Sequence, residues 1–432
     1  MRKTQISALP GQNYNPGTGY QRGNVSISGL QKYFRKESFS SIISVLAGTK
    51  ERIYITGLVV INLITLKEIH SHGFNNFQIF VYGSRDFWNG LDPYNAIAHK
   101  SISGKMLDKY LYGPLFSILF TPFTVLPGQI GVLLWNMLNY TIFYISVFTL
   151  PEKLGFKTKR LIFFYSVLLL FAAILSTQFN PLVAAFFLLS FTLLENGRYF
   201  FAILLIMVSG FTKIYGASEL ILLLFYPKLL RNLSYAALIA VFLFVIPSIH
   251  IPLSGLIGYY ESWIRGLEQH IDKFNCYSIY RPAGILYSGE NYDLSMISLA
   301  IFMVIGLLSI VRKKEISLSL PMRARVVGII MSWVILFSTA SEKNTYLIAI
   351  AGYIIWFCSI NASLFDKFLL WSNFVLLELL PVDFLCPQII SGFILDKLNL
   401  GLIVFTITFI VMFWKTYILS EQTLVKEIRA NG

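Results

Sequence analysis

The stretch GVLLWNMLNYTIFYISVFTL, residues 131–150, carries no charged side chain. About 20 predominantly apolar residues in a helix match the hydrocarbon thickness of a bilayer, so this run reads as a membrane span. Comparable runs recur at Leu161–Leu175, Ala236–Val245 and Leu400–Phe413. The whole chain of 432 residues is 56% hydrophobic and 13% charged, too little charge to coat a soluble protein. The sequence therefore predicts an all-α, polytopic transmembrane helical bundle. About twelve spans are expected, near residues 50–69, 128–150, 160–177, 180–195, 199–212, 216–228, 233–252, 294–311, 324–340, 345–361, 366–381 and 398–417. Several runs fall short of a full span, so some helices must be short or have polar ends.

Charge gives the orientation. With the N-terminus inside, Lys and Arg collect at Arg2 to Arg52, Lys153/Lys157/Lys159/Arg160, Lys228/Arg231, Arg312/Lys313/Lys314/Arg323/Arg325 and Lys426/Arg429. All of these are then cytoplasmic, as the positive-inside rule requires. Residues 1–49 are polar and lack an apolar h-region, so they read as a flexible cytoplasmic arm rather than a signal peptide. Residues 50–420 form the membrane domain, and 421–432 a cytoplasmic tail. The net charge of +13 follows from topology and suits anionic headgroups; the bilayer is the expected partner, and no nucleic acid is. Cys276, Cys358 and Cys386 are not expected to form a disulfide. The absence of CxxC and HExxH spacings gives no expected metal or other cofactor.

The outer side holds the titratable groups. His70, His72, His99, His250 and His270 all fall there, with acids that include Glu68, Asp86, Asp92, Glu342, Glu378, Asp383 and Asp396. Two outer loops are long, 70–127 and 253–293. The first contains Phe77–Trp88 and Pro114–Leu126, where Pro114, Pro122 and Pro127 would break a crossing helix. Both loops are expected to carry amphipathic helices in the outer interface. That arrangement suits an enzyme acting on a lipid-linked substrate. A transporter would keep its site at the midplane, between related repeats, and no internal repeat is visible. A lipid-linked oligosaccharide flippase would carry charges deep in its spans, which are nearly charge-free here. An O-antigen-type polymerase would want Arg-rich outer loops, and Arg265 and Arg281 are thin support.

An ordered series of motifs carries a resemblance. NNFQIFVYGSRDFWNGLDPYN (75–95) contains Gly90, Pro93 and Tyr94. KYLYGPLFSILFTPFTVLP (109–127) contains Tyr112, Pro114, Leu115, Leu126 and Pro127. LLWNMLN (133–139) opens a span, and Gln178, Asn180 and Lys213 stand in STQFNPLVAAFFLLSFTLLENGRYFFAILLIMVSGFTKIYG (176–216). Over roughly residues 50–420 the chain resembles glycosyltransferase family 87, within the GT-C superfamily of polyprenol-phosphate-sugar-dependent enzymes. SEKNTYLIAIAG (341–352) and LLPVDFLCP (379–387) resemble one bacterial branch of it. The resemblance implies transfer of a hexose, mannose-like, from a polyprenyl-phosphate donor to a lipid-linked or cell-envelope glycan acceptor at the outer face.

One position departs from the family. Where the family has its catalytic Asp, this chain has Asn76, and an amide is no proton acceptor at neutral pH. The base then falls to Asp92, Asp86 or Glu68. Asp92 also reads as a turn residue before Pro93, and Asp86 as the solvated face of an interfacial helix. A chain turning back at Gly90–Pro93 would bring Asp92 to Asn76. By resemblance, Lys213 binds the donor phosphate; the plainer reading is a lysine snorkelling to the interface. Arg281, whose guanidinium suits phosphate, and Lys109 are further phosphate candidates, with Lys343 behind them. Gln178, Asn180, Tyr94, Tyr112 and Glu342 are candidates for sugar or acceptor binding. Against these stand capping for Asn180, a helix-start pair for Glu342 and Lys343, and the aromatic belt for the tyrosines.

Overall fold

The structure, a computed structural model, describes residues 50–71, 74–95, 99–102, 104–269, 276–281, 294–382 and 386–418. The expected arm and tail, with His72, His270 and Asp383, lie outside these. The chain divides after Ile53, and all packing below is within Tyr54–Gly432. Helices α1 (Lys50–Ser71), α2 (Asn75–Trp88), α3 (Pro114–Leu119), α4 (Thr121–Thr124), α5 (Gly128–Phe148), α6 (Gly155–Leu175), α7 (Asn180–Glu195) and α8 (Tyr199–Thr212) come first. A 3₁₀ helix, Ile214–Phe225, precedes α9 (Leu229–Val245), α10 (Leu253–Gln269), α11 (Leu294–Val311), α12 (Lys313–Leu318) and α13 (Leu320–Leu336). Then come α14 (Tyr346–Phe357), α15 (Leu364–Asn373), α16 (Gln388–Gly392) and α17 (Leu400–Phe413). Among the described residues there is no strand beyond an isolated bridge between Lys100 and Met106.

Among the described residues, five helical stretches are long and apolar enough to cross a membrane: Lys50–Ser71, Gly128–Phe148, Glu152–Leu175, Leu229–Ile249 and Leu400–Ile418. That is fewer than the twelve spans expected. The apolar helices Asn180–Glu195, Tyr199–Thr212, Ile214–Phe225 and Met296–Val311 are shorter than a full span. The first three are short for a sequence reason, since the polar turns at 176–180, 196–198 and 213 interrupt the apolar run. On α1, Ile55, Val59, Leu63 and Leu66 are all more than half exposed along one stripe. In water such a surface would drive aggregation; against acyl chains it is at rest.

The centre of the bundle is α13 against α14. Every side chain of α14 from Tyr346 to Trp356 is buried, as expected of a helix apolar on all faces. The two backbones meet where Gly328 faces Gly352, and a Cβ on Gly328 would run into the Gly352 carbonyl oxygen. Small residues at such a crossing let helices approach closely where no hydrophobic effect drives them together.

The connections sort into two sets. Arg323 donates to both Glu195 oxygens (2.6 and 2.9 Å), with the Tyr226 hydroxyl on the same carboxylate. Arg325 donates to the Ser359 carbonyl, and Lys415 pairs with Asp366 at 2.6 Å. Each contact joins segments that the charge reading puts on the cytoplasmic side. The turns at 176–180, 213–216, 340–345 and 396, which that reading puts outside, bond to one another instead and build the site.

The first long loop is docked on the bundle. Phe77, Phe80 and Phe87 of α2 are buried, and the Phe80 ring meets Tyr112, Phe116, Phe120 and Trp135 with centroids 4.9–5.8 Å apart. The second loop clamps the first: the Trp263 indole of α10 donates to the Leu111 carbonyl at 3.1 Å.

Candidate functional site

At the end of α8 the apolar run stops at Thr212 and Lys213 takes an extended conformation (φ −132°, ψ 114°). The loop 110–113 lies directly beside it, tied by the Gly113 N–H to the Thr212 carbonyl at 3.0 Å. A Cβ at Gly113 would strike the Phe211 carbonyl oxygen, so this approach needs glycine. The result sets the Tyr112 ring 5.2 Å and the Tyr215 ring 5.8 Å from the Lys213 ammonium, within cation–π range.

From Lys213 a hydrogen-bonded chain crosses the end of the bundle. Lys213 Nζ donates to Asn180 Oδ1 at 2.9 Å, Asn180 Nδ2 to Gln178 Oε1 at 2.6 Å, and Gln178 Nε2 to Glu342 Oε2 at 2.6 Å. Asn180 and Gln178 are buried; Lys213 is half-buried and Glu342 exposed. Asn180 is the first residue of α7, yet its side chain serves this chain of bonds and not the helix end. Burial pushes the Lys213 ammonium down to about 8, against a smaller upward pull from the Glu342 charge. Burial, then the neighbouring Tyr215 and the Glu342 charge, holds the Tyr112 hydroxyl above its ordinary range, and burial followed by the Glu342 charge does the same for Tyr215.

The turn that carries Gln178 is strained. Thr177 has φ 51°, a left-handed conformation unusual for a β-branched residue. It is held there by two bonds, from the Phe77 N–H to its Oγ1 and from the Trp135 indole to its carbonyl, both 3.1 Å. Strain of this kind costs about 1–3 kcal/mol and persists where the surroundings over-determine it. Asn76 joins the same turn: its Nδ2 donates to the Ser176 carbonyl at 2.7 Å, and Asn344 Nδ2 to Ser176 Oγ at 3.1 Å. Lys213, Asn180, Gln178, Glu342, Tyr112 and Asn76 are thus brought together. Ser176, Tyr215 and Asn344 belong with them and were missed; their signal was their place in the same polar interruptions of apolar runs.

Other expected residues lie elsewhere. The turn at Gly90–Pro93 is the C-terminal cap of α2, with Gly90 at φ +73° and the Leu91 N–H on the Asp86 carbonyl. Asn76 stands in the first turn of that helix and Asp92 beyond its other end, with about 18 Å of helix from Asn76 to Trp88 at 1.5 Å per residue. Asp92 does not approach Asn76. Its carboxylate accepts the Tyr94 N–H (2.9 Å) and Asn95 Nδ2 (2.8 Å), the bonds of a turn residue. Glu68 lies in the last turn of α1. Arg281 pairs with Asp396 at 3.4 Å, and Lys343 meets the same carboxylate at 3.1 Å.

Asp86, Tyr94 and Lys109 line a second place, a cavity of about 250 Å³. Asp86 is 5% exposed, not on a solvated face, because the docking of α2 turns it inward, where it bonds His99 Nε2 at 2.8 Å. The Tyr94 hydroxyl donates to the Tyr112 carbonyl at 2.8 Å, linking this cavity to the Lys213 site.

A helical bundle with several bilayer-length apolar helices, whose turns join a cation to a carboxylate through two buried amides, is a membrane protein with a polar site at the ends of its helices. Its family follows from the comparison of sequences: the pattern of glycosyltransferase family 87 matches residues 110–339, more than half of the chain, and the chain belongs to that family. It is a membrane glycosyltransferase. No curated protein matches the chain. The match takes in Tyr112, Gln178, Asn180, Lys213 and Arg281 and leaves out Asn76, Asp86, Asp92 and Glu342.

Proposed function

We propose that this enzyme transfers a hexose, mannose-like, from a polyprenyl-phosphate donor to a lipid-linked or cell-envelope glycan at the extracytoplasmic face of the cell membrane. The observation that carries the proposal is the chain of bonds from Lys213 to Glu342: a half-buried cation and an exposed carboxylate fixed in one polar network. In the transfer, an acceptor hydroxyl oxygen bonds to the anomeric carbon while the bond from that carbon to the phosphate oxygen breaks. Lys213, together with the donors around it, stabilises the charge on the departing polyprenyl phosphate. The acceptor proton passes to Glu342, which takes the part that Asn76 lacks. Asn180 and Gln178 hold the two charged groups in register, and Asn76 orients the acceptor. Arg281 and Lys343 share Asp396, so their charge is partly spent on that carboxylate.

Two variants in a membrane transfer assay test the proposal. Lys213→Ala should lower transfer by at least about a hundredfold, the scale of losing one transition-state donor. Glu342→Gln keeps the bond pattern open to an amide but removes the base, and transfer should fall by about 10²–10⁴-fold. Near-normal turnover in Lys213→Ala, with the protein folded, would return Lys213 to a snorkelling role.

A further inference from the structure

The cavity in the first outer loop lies apart from the Lys213 network and has its own chemistry. At about 250 Å³ it is smaller than the pockets of drug-sized ligands, typically about 300–1,000 Å³, and suits a single six-membered ring with its substituents. Buried Asp86 and part-exposed His99 form its polar pair, and among the described residues Asp86 Oδ1 takes no partner of its own. The Tyr82 ring stacks on the imidazole at 4.3 Å and 9°, so two contacts fix the orientation of His99. The Asn95 and Gln269 amides reach the same space. Carboxylate, imidazole and amide are planar groups that match the paired donor and acceptor character of neighbouring hydroxyls. The aromatic walls offer apolar surface for the C–H face of a ring.

Charge separates the possible occupants. Asp86 and Asp108 face Lys109, and Lys109 already donates to Gln269 at 3.3 Å. Positive charge therefore does not exceed negative in the cavity, even with a protonated His99, and a phosphate would gain nothing there. A neutral polyol suits it. The Tyr94–Tyr112 hydrogen bond sets the cavity one tyrosine layer from the lysine.

We propose that this cavity binds one neutral pyranose unit of the acceptor glycan, next to the unit that receives the new sugar. The assignment to the acceptor rests on the transferase reading above; the binding of a pyranose does not. Saturation-transfer NMR on the full chain in nanodiscs, with methyl α-mannopyranoside, methyl α-glucopyranoside and methyl β-galactopyranoside as probes, tests it. At least one probe should show transfer, weakened about tenfold in His99→Asn and in Tyr82→Leu, the scale of one lost hydrogen bond or one lost aromatic contact. The Lys213→Ala protein should keep the signal. No signal for any probe, a signal unchanged in both variants, or its loss in Lys213→Ala would each overturn the proposal. Failure of the donor site appears separately, as sugar transfer that survives Lys213→Ala while the pyranoside signal is unaffected.

Discussion

Lys213 ties the pH behaviour of the enzyme to one side chain. Burial lowers its pKa from 10.5 to about 8, so the free site is charged below that value and loses charge above it. Binding of an anionic donor then weakens as pH rises past about 8, approaching tenfold per unit. Stability moves the other way: between about 8 and 10.5 the unfolded chain binds more protons than the native one, so folding is favoured as pH rises through that window. Donor KM should therefore climb between pH 8 and 10 while the thermal midpoint does not fall with it. A lysine outside the binding site would leave KM flat. Asp92 gives a second residue-scale expectation. Because its oxygens hold the Tyr94 N–H and Asn95, Asp92→Asn keeps much of the turn, and transfer should stay within about threefold of normal. Dead Asp92→Asn with normal thermal stability would restore it as the base. The site was legible residue by residue through the resemblance, because Tyr112, Gln178, Asn180 and Lys213 stand in the motifs that carry it and Glu342 in the stretch 341–352. Their bonding was not: Gln178 and Glu342 are 164 positions apart, and only helix packing sets which turns meet. His99 was passed over for the same reason, since its value comes from Asp86 being turned inward by the docking of α2.

At the scale of elements, close backbone approach at two glycines does what side-chain packing does elsewhere. Gly113 lets the 110–113 segment lie on the end of α8, and with it Tyr112 reaches the lysine. Gly113→Ala should push that segment outward and raise donor KM, with little effect on the thermal midpoint because the core helices are untouched. Gly328→Val should act oppositely. It forces α13 off α14 at the buried centre, and overpacking of this kind costs about 1–3 kcal/mol, read as a lower unfolding midpoint of the purified protein in detergent. The helical period and the proline breaks made α2, α3, α4 and α10 readable as helices in the loops. Their docking was not readable, because an amphipathic pattern is the same whether its apolar face meets lipid or the aromatic cluster around Phe80. Among the described residues five helices reach bilayer length, which leaves the count of twelve unconfirmed for a related reason: hydropathy marks apolar runs but does not say whether a run such as 214–225 crosses alone or packs short inside a bundle.

For the whole molecule, two sets of turns imply two faces of one membrane. Turns at 176–180, 213–216 and 340–345 meet through Gln178, Lys213 and Glu342, whereas Glu195, Arg323, Arg325, Asp366 and Lys415 join the segments between them. This alternation is what a chain crossing back and forth must produce, and it agrees with the Lys and Arg bias read from the sequence. Orientation is then fixed by which set is outside. The charge reading expects the basic segment 153–160 in the cytoplasm and the first loop outside, and with it the site that loop helps to build. Lys105 and Lys157 are both exposed, so a cysteine at either is open to an impermeant maleimide if its side of the membrane is. Cys386, half-buried and in a segment expected outside, is first changed to serine to remove background. In whole cells Lys105→Cys should label and Lys157→Cys should label only after permeabilisation. The reverse pattern would put the Lys213–Glu342 site on the cytoplasmic face, where the acceptor would have to be an intermediate still inside the cell. Labelling of both in intact cells would mean that residues 105 and 157 share a side and would overturn the crossing of α5 between them.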